Sequence, residues 1–398
     1  MKLQSFCAAA LLVTAIASPV HAAAEWQGYL SLDYRQFFKD GLYPKQENAF
    51  PSLAFKPEYY REMRNDIALT FKPFIRLDAV DNDRSHIDIR EFFLYYTKDN
   101  LEARFGLNTV FWGVTESRHL VDIINQTDAV ENIDGEDKLG QPMINLTYAF
   151  DNSLVDFFVL LGFRERTFSG EEGRLRTPLV VDVDNPLYES SDGEEHVDYA
   201  VRWSGTVLDY WDIGLHYFTG TSRDPVFVPV IENGQPVKLA PKYFQIDQVG
   251  IDIQATLESW LLKLEAIQRN GEPEDYSAAV AGFEYTVPGI AESSTDLGII
   301  AEYHTDSRGK QATTPFNNDL FIGTRWAFND AQSTEVIAGV IADLDFTTRS
   351  YRIESSRRIG ASWKLTGELQ VFSNVDQQDV LYGLRNDSFL SVEMARYF

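Results

Sequence analysis

The sequence predicts an all-β fold, a transmembrane antiparallel up-and-down β-barrel of about eighteen strands, with a range of about sixteen to eighteen. Three observations predict it. Apolar residues recur at every second position, short and long connections alternate between those segments, and an export signal precedes them.

The alternation is clearest at 67–79. Ile67, Leu69, Phe71, Pro73, Ile75, Leu77 and Ala79 share one face, opposite Ala68, Thr70, Lys72, Phe74, Arg76 and Asp78. A period of two is the signature of a strand with one apolar and one polar face. Leu101, Ala103, Phe105 and Leu107 against Glu102, Arg104, Gly106 and Asn108 repeat it. So do Val197, Tyr199, Val201 and Trp203 against Asp198, Ala200, Arg202 and Ser204. Strands are placed near 26–38, 50–60, 65–80, 83–97, 101–113, 140–151, 153–168, 195–207, 210–221, 240–257, 260–270, 275–288, 294–306, 317–328, 332–345, 347–358, 361–374 and 388–398.

The connections are an independent check. Those after even-numbered strands are short, among them 98–100, 151–152, 208–209 and 258–259. Every long one, including 39–49, 114–139, 169–194 and 222–239, follows an odd-numbered strand. A spanning barrel has short turns on one side of the membrane and long loops on the other. A soluble sandwich would have shorter strands and point its apolar face inward.

Residues 1–22 read as a secretory signal. Lys2 opens it, Phe6 to Ala17 is an apolar core, and Val20 and Ala22 hold the small-residue positions before the cleavage site. Residues 23–398 then form one barrel domain, with strands beginning directly after the signal and leaving no plug domain ahead of them. The single cysteine, Cys7, lies inside the signal, which excludes a disulfide scaffold. The net charge of −25 argues against a nucleic-acid partner, because a phosphate backbone demands a basic surface. Aromatic residues make up 13% of the chain, and Tyr and Trp are favoured at bilayer interfaces.

The last strand carries a family resemblance. Leu390, Val392, Met394 and Phe398 set apolar residues at alternate positions before a terminal aromatic, with Arg396 departing from the pattern and Tyr397 one place off. This resembles the assembly signal of Gram-negative outer-membrane β-barrels of porin-like type. The resemblance implies an outer-membrane location, contact with membrane lipid and lipopolysaccharide, and delivery to the barrel-assembly machinery through the C-terminal strand.

With the apolar face toward lipid, Lys72, Arg76, Asp78, Glu102, Arg104, Arg202, Asp252, Lys263, Glu265, Glu302, His304, Arg325, Arg352, Glu354, Lys364 and Glu368 point into the lumen. Charges of both signs suit a hydrated channel. Alternatively they pair with one another and fill the interior. Residues 114–139 are the candidate constriction, with Glu116, Arg118, Asp122, Asn125 and Asp128 as its polar groups. Its Leu120, Val121, Ile123 and Ile124 are too apolar for a solvated loop. Either the segment folds into the barrel, as the third loop of general porins does, or it packs on neighbouring loops outside. Trp112-Gly113, then Asp122-Ile-Ile-Asn125 and Asp128, also resembles a stretch in proteobacterial outer-membrane proteins of the porin or polymer-export type.

His86, His119, His196, His216 and His304 are scattered one per segment, in no paired ligand spacing, so neither a catalytic set nor a metal site is expected. Asp134-Gly135-Glu136-Asp137 and Asp192-Gly193-Glu194-Glu195 read as solvated loop turns, since neither has the alternating ligands of a calcium loop. The expected function is a channel for passive diffusion of small hydrophilic solutes, with no cofactor. An outer-membrane enzyme and a non-conducting adhesin or scaffold are the alternatives.

Overall fold

The computed structural model of the chain describes residues 24–64 and 66–398. The whole of the 1–22 signal segment lies outside the described residues. An 18-stranded sheet forms the barrel. Its strands are β1 (Ala24–Phe37), β2 (Ala49–Arg64), β3 (Ile67–Asp78), β4 (His86–Lys98), β5 (Leu101–Asn108) and β6 (Gln141–Ala149). Then come β7 (Ser153–Leu161), β8 (Val197–Val207), β9 (Trp211–Thr221), β10 (Gln245–Leu257), β11 (Trp260–Gly271) and β12 (Tyr276–Val287). The last six are β13 (Asp296–Asp306), β14 (Asn318–Ala327), β15 (Glu335–Asp343), β16 (Arg349–Ile359), β17 (Trp363–Ser373) and β18 (Phe389–Tyr397).

Each strand pairs antiparallel with the next, and β1 closes the barrel on β18 from Tyr29↔Tyr397 to Phe37↔Phe389. Closure removes the unpaired edges that hydrocarbon cannot hydrate. The period-two pattern sets the faces. Leu30, Leu32 and Tyr34 stand 50%, 56% and 46% exposed on the outer wall, while Ser31, Asp33 and Arg35 between them are buried inside. Aromatic pairs such as Trp26–Tyr59 and Trp260–Tyr285, with ring centroids 4.9 and 4.6 Å apart, ring the short-turn end. That band is the interfacial girdle of a spanning barrel.

The long loops share the opposite, external end: L1 (38–48), L2 (79–85), L3 (109–140), L4 (162–196), L5 (222–244), L6 (272–275), L7 (307–317), L8 (344–348) and L9 (374–388). Three strands lose five or more residues at one end relative to the sequence pattern. β5 stops at Asn108 rather than 113, and β7 at Leu161 rather than 168. β10 begins at Gln245 rather than 240, because 235–243 pairs instead with 226–232 in a hairpin of L5. That hairpin and Leu187–Tyr188 of L4 make a separate three-stranded sheet. β5 ends early because Asn125 of L3 takes over its backbone. Its amide oxygen accepts from Val110 N at 2.8 Å, and its nitrogen donates to the carbonyls of Asn108 and Leu139 at 2.9 Å.

Candidate functional site

L3 folds into the barrel, where its apolar run finds an apolar inner wall. Trp112, Leu120, Val121, Ile123 and Ile124 cluster with Met143, Phe158, Leu160, Ala200, Phe218, Ile246, Ile267, Tyr276, Ala278 and Val280 from β6 to β12. Val121 and Ile124 are 0% exposed, and full burial of each contributes roughly 1.5–3 kcal/mol. Period two hides this signal, since an inward apolar residue on these strands reads as a break in the polar face.

The loop then reaches the other walls through charge. Glu265 on β11 accepts from the backbone of Val114, Thr115 and Val121 at 2.7, 3.0 and 3.2 Å. Glu302 on β13 caps the next turn, accepting from Glu116 N and Ser117 N at 2.7 and 2.8 Å. Glu116 pairs with Arg325 on β14 at 2.5 Å, and Asp134 with Arg352 on β16 at 2.6 Å. Asn132 donates to Glu368 on β17 at 3.1 Å. Glu131 pairs with Arg76 on β3 at 2.5 Å, and Asp128 with Arg90 on β4. L3 therefore spans the lumen from β1–β4 across to β13–β17. The Asp134–Asp137 turn is not a solvated one: Asp134 holds Arg352 and Glu136 lies 3.1 Å from His119. Asp192–Glu195 is exposed apart from half-buried Gly193.

The lumen residues named from sequence fall into two sets. Arg76, Asp78, Asp122, Asn125 and Asp128 have buried or partnered polar groups that anchor the loop. Asp78 accepts from Arg84 at 2.7 Å, and Asp122 meets Lys138 at 3.0 Å and Trp112 N at 3.3 Å. Lys72 with Glu91 (3.0 Å) and Arg104 with Glu102 (3.3 Å) lie on the wall toward the short-turn side. Arg202 reaches Asp252 at 2.7 Å across β9. This bridge passes over Gly214, where a Cβ would come within 2.1 Å of the guanidinium.

The stretch of the interior between the Glu116–Arg325 and Asp134–Arg352 contacts keeps access to water. There Arg325, Glu116, Arg352 and Glu354 keep 36%, 26%, 33% and 42% of their side chains exposed inside the barrel. On the wall between them Gly323 and Gly339 are register partners, and the Phe321 ring lies over both. A Cβ on Gly339 would meet that ring at 2.3 Å, so only glycine leaves room for it.

Other functional-looking clusters resolve into loop anchors. Nitrogen and oxygen atoms of His86, Asp128 and Glu131 lie within 4.8 Å of one another, but Arg90 and Arg76 already hold the carboxylates, which does not suit a cation. Ser117, Glu302 and His304 also converge, with Ser117 Oγ 2.8 Å from His304 Nε2. Ser117 donates to Glu302 (Oγ–H to Oε2), however, and His304 Nδ1 is buried without a partner. No carboxylate orients the imidazole as a nucleophile's base requires. Among the interior and loop charges not named from sequence are Asp33, Arg35, Arg84, Glu131, Asp224, Arg269 and Arg308. Inward parity beside Leu32 and Tyr34 marks Asp33 and Arg35 in the sequence, whereas loop residues such as Glu131 carry no such mark.

His119 gives the loop a pH dependence. Burial alone would lower its pKa, yet Glu136 and Glu265 hold it up at about 10. A histidine raised above its ordinary value stabilises fully below about pH 6.5, and that contribution is lost as pH rises through about 10. Hydrogen exchange of 115–137, corrected for intrinsic rates, is expected to accelerate between pH 8 and 11. His119→Gln removes the transition; an unchanged transition in that variant refutes the assignment.

No protein-family model matches the chain, and no curated protein sequence does. Solved structures do match in fold. Wzi, an outer-membrane protein involved in group 1 capsule assembly in Escherichia coli and a carbohydrate-binding β-barrel, aligns with TM-score 0.55 at 9% identity, over 94% of this chain and 84% of its own. Pseudomonas putida OprB aligns with TM-score 0.47 at 11% identity, over 94% of each chain. A mutant Rh. blastica porin aligns with TM-score 0.46 at 11% identity, over 94% of this chain and all of its own. The shared property is the fold, a closed antiparallel β-barrel, which this chain has in common with Wzi.

Proposed function

We propose that the protein is an outer-membrane channel for small hydrophilic solutes, with passage confined to the gap between L3 and the β14–β16 wall. The observation that carries this reading is the set of opposed, partly water-accessible charges there. Glu116 and Asp134 on the loop face Arg325 and Arg352 on the wall, and opposed charges of this kind orient polar solutes in water. The apolar cluster fixes L3 on the β6–β12 side, whereas partly exposed ion pairs to Arg325 and Arg352 and the amide bonds to Glu302 hold it on the other. The loop can thus yield on one side without leaving the barrel. That L3 touches so much of the wall favours a second reading, a non-conducting barrel that binds solutes at its surface. Single-channel recording of the refolded barrel in a planar bilayer separates the two. Resolved steps are expected, with a reversal potential that reports charge preference. A demonstrably folded barrel with no steps sinks the channel reading and leaves the second.

A further inference from the structure

The external face of L3 carries a cationic cluster with one uncommitted member. Most inward arginines are neutralised. Arg76 faces Glu131, Arg202 faces Asp252, Arg325 faces Glu116 and Glu284, and Arg352 faces Asp134, Glu354 and Glu368. Among the described residues Arg118 makes no ion pair and no side-chain hydrogen bond; its guanidinium lies 5.1 Å from the centre of the Phe316 ring. It is half-buried and keeps access to water.

Its surroundings are the external ends of β11, β12 and β13 with L5 and L7. Arg269 bonds Asp224 at 3.0 Å and Gln248 at 2.9 Å. Arg308 forks onto Asp306 at 2.7 and 2.9 Å, with its guanidinium 3.7 Å from the Tyr276 ring centre. Arg166 shares Asp224 at 3.0 Å. Arg118, Arg166, Arg269 and Arg308 therefore face Asp224 and Asp306, with Glu274 also within reach of Arg308. The carboxylate side chain of Asp224 is 59% exposed, so the space is wet. Arg118 itself lies two residues from Glu116 along L3.

We propose that this antechamber is a binding site for small solutes bearing an oxyanion, a carboxylate or a phosphate ester, with Arg118 as the group that contacts it. A guanidinium free of ion pairs can present its N–H edge as a fork, which matches the two oxygens of such a group. Arg269 and Arg308 add positive potential while remaining tied to their own carboxylates. The neutralised lumen arginines lack this freedom, and so carry no such site.

The site is tested by binding rather than current, so its outcome is separate from whether the barrel conducts. Calorimetric titration of the refolded full-length protein at low ionic strength uses glucuronate, glucose 6-phosphate and glucose. One or both anions are expected to bind, and glucose much more weakly. Arg118→Gln lowers the affinity at least about tenfold, and Arg118→Lys less, because an ammonium keeps the charge without the fork. Arg357→Gln, at the short-turn end, leaves it unchanged. Folding of each variant is read from heat-modifiable electrophoretic mobility. Binding of glucuronate alone or glucose 6-phosphate alone identifies which oxyanion the site accepts. Failure of both anions to bind, equal binding of glucose, or undiminished binding by Arg118→Gln overturns the proposal.

Discussion

Deleting residues 111–138 and joining Val110 to Leu139 through a short Gly-Ser turn is expected to raise single-channel conductance at least about tenfold, because a barrel of this strand number leaves an aqueous passage when no loop fills it. The chain ends to be joined are close. One Asn125 side chain bonds Val110 N, Asn108 O and Leu139 O, and Asn108 pairs with Gln141 across β5 and β6. The turn therefore closes a hairpin that already exists. The deletion removes every L3 contact to β11, β13, β14, β16 and β17 while leaving the barrel ladder intact. It also exposes Met143, Phe158, Leu160, Phe218 and Val280 to water, which lowers stability without breaking a strand pair. Paired recordings of wild type and variant decide it. Equal conductance means that L3 is not the barrier.

The barrel was legible in the sequence because its physics is local. Lipid on one side and polar groups on the other impose a period of two, so strand number, facing and the alternation of short and long connections all follow from the order of residues. Loop position was legible only as a choice between an inward fold and packing on neighbouring external loops. Leu120, Val121, Ile123 and Ile124 have no place in water, and the inward fold gives them one. The interior partners were not legible. Glu131 and Arg76 are 55 positions apart, Glu116 and Arg325 are 209 apart, and no local pattern links them. The strand end at 108 was set by a loop side chain, Asn125, that intercepts the ladder. Inward apolar positions such as Phe158, Phe218 and Val280 match no polar lumen, and only the loop that covers them explains their chemistry. The alternative the sequence left open, that inward charges pair with one another, holds for buried anchors such as Arg76 and Asp78. The loss of β10's first residues to the L5 hairpin has its own cause: 235–243 is extended, but its partner is 226–232 rather than the barrel.

Glu131→Ala tests whether the buried charge network fixes L3 against the first strands. Its carboxylate accepts from Arg76 Nε at 2.7 Å and Nη2 at 2.5 Å. Arg76 also donates to Ser52 at 2.8 Å, Arg84 bonds Asp33 at 3.1 Å and Asp78 at 2.7 Å, and Arg35 donates to the Glu131 carbonyl at 3.2 Å. Arg35, Arg76 and Arg84 thus balance Asp33, Asp78 and Glu131. Removing one carboxylate leaves a buried guanidinium uncompensated, which costs about 3–5 kcal/mol if the loop stays in place. The loop need not stay. Local opening of its second half hydrates Arg76 and caps the penalty at the free energy of that opening. The expected result is therefore faster hydrogen exchange and proteolysis over 128–137, with a small change in the unfolding midpoint of the barrel. Acid should mimic the substitution. Burial opposes the charge on Glu131, but Arg76 and Arg84 overcome it and hold the pKa below the usual glutamate range. A lowered carboxylate stabilises above its unfolded value near 4.5, and the contribution is lost as pH falls through the folded one. Glu131→Gln keeps a hydrogen bond and is expected to open the loop less than Ala does. Native protection of 128–137 in Glu131→Ala at neutral pH would mean that the apolar cluster alone holds L3, and that the charges across β1–β4 are dispensable.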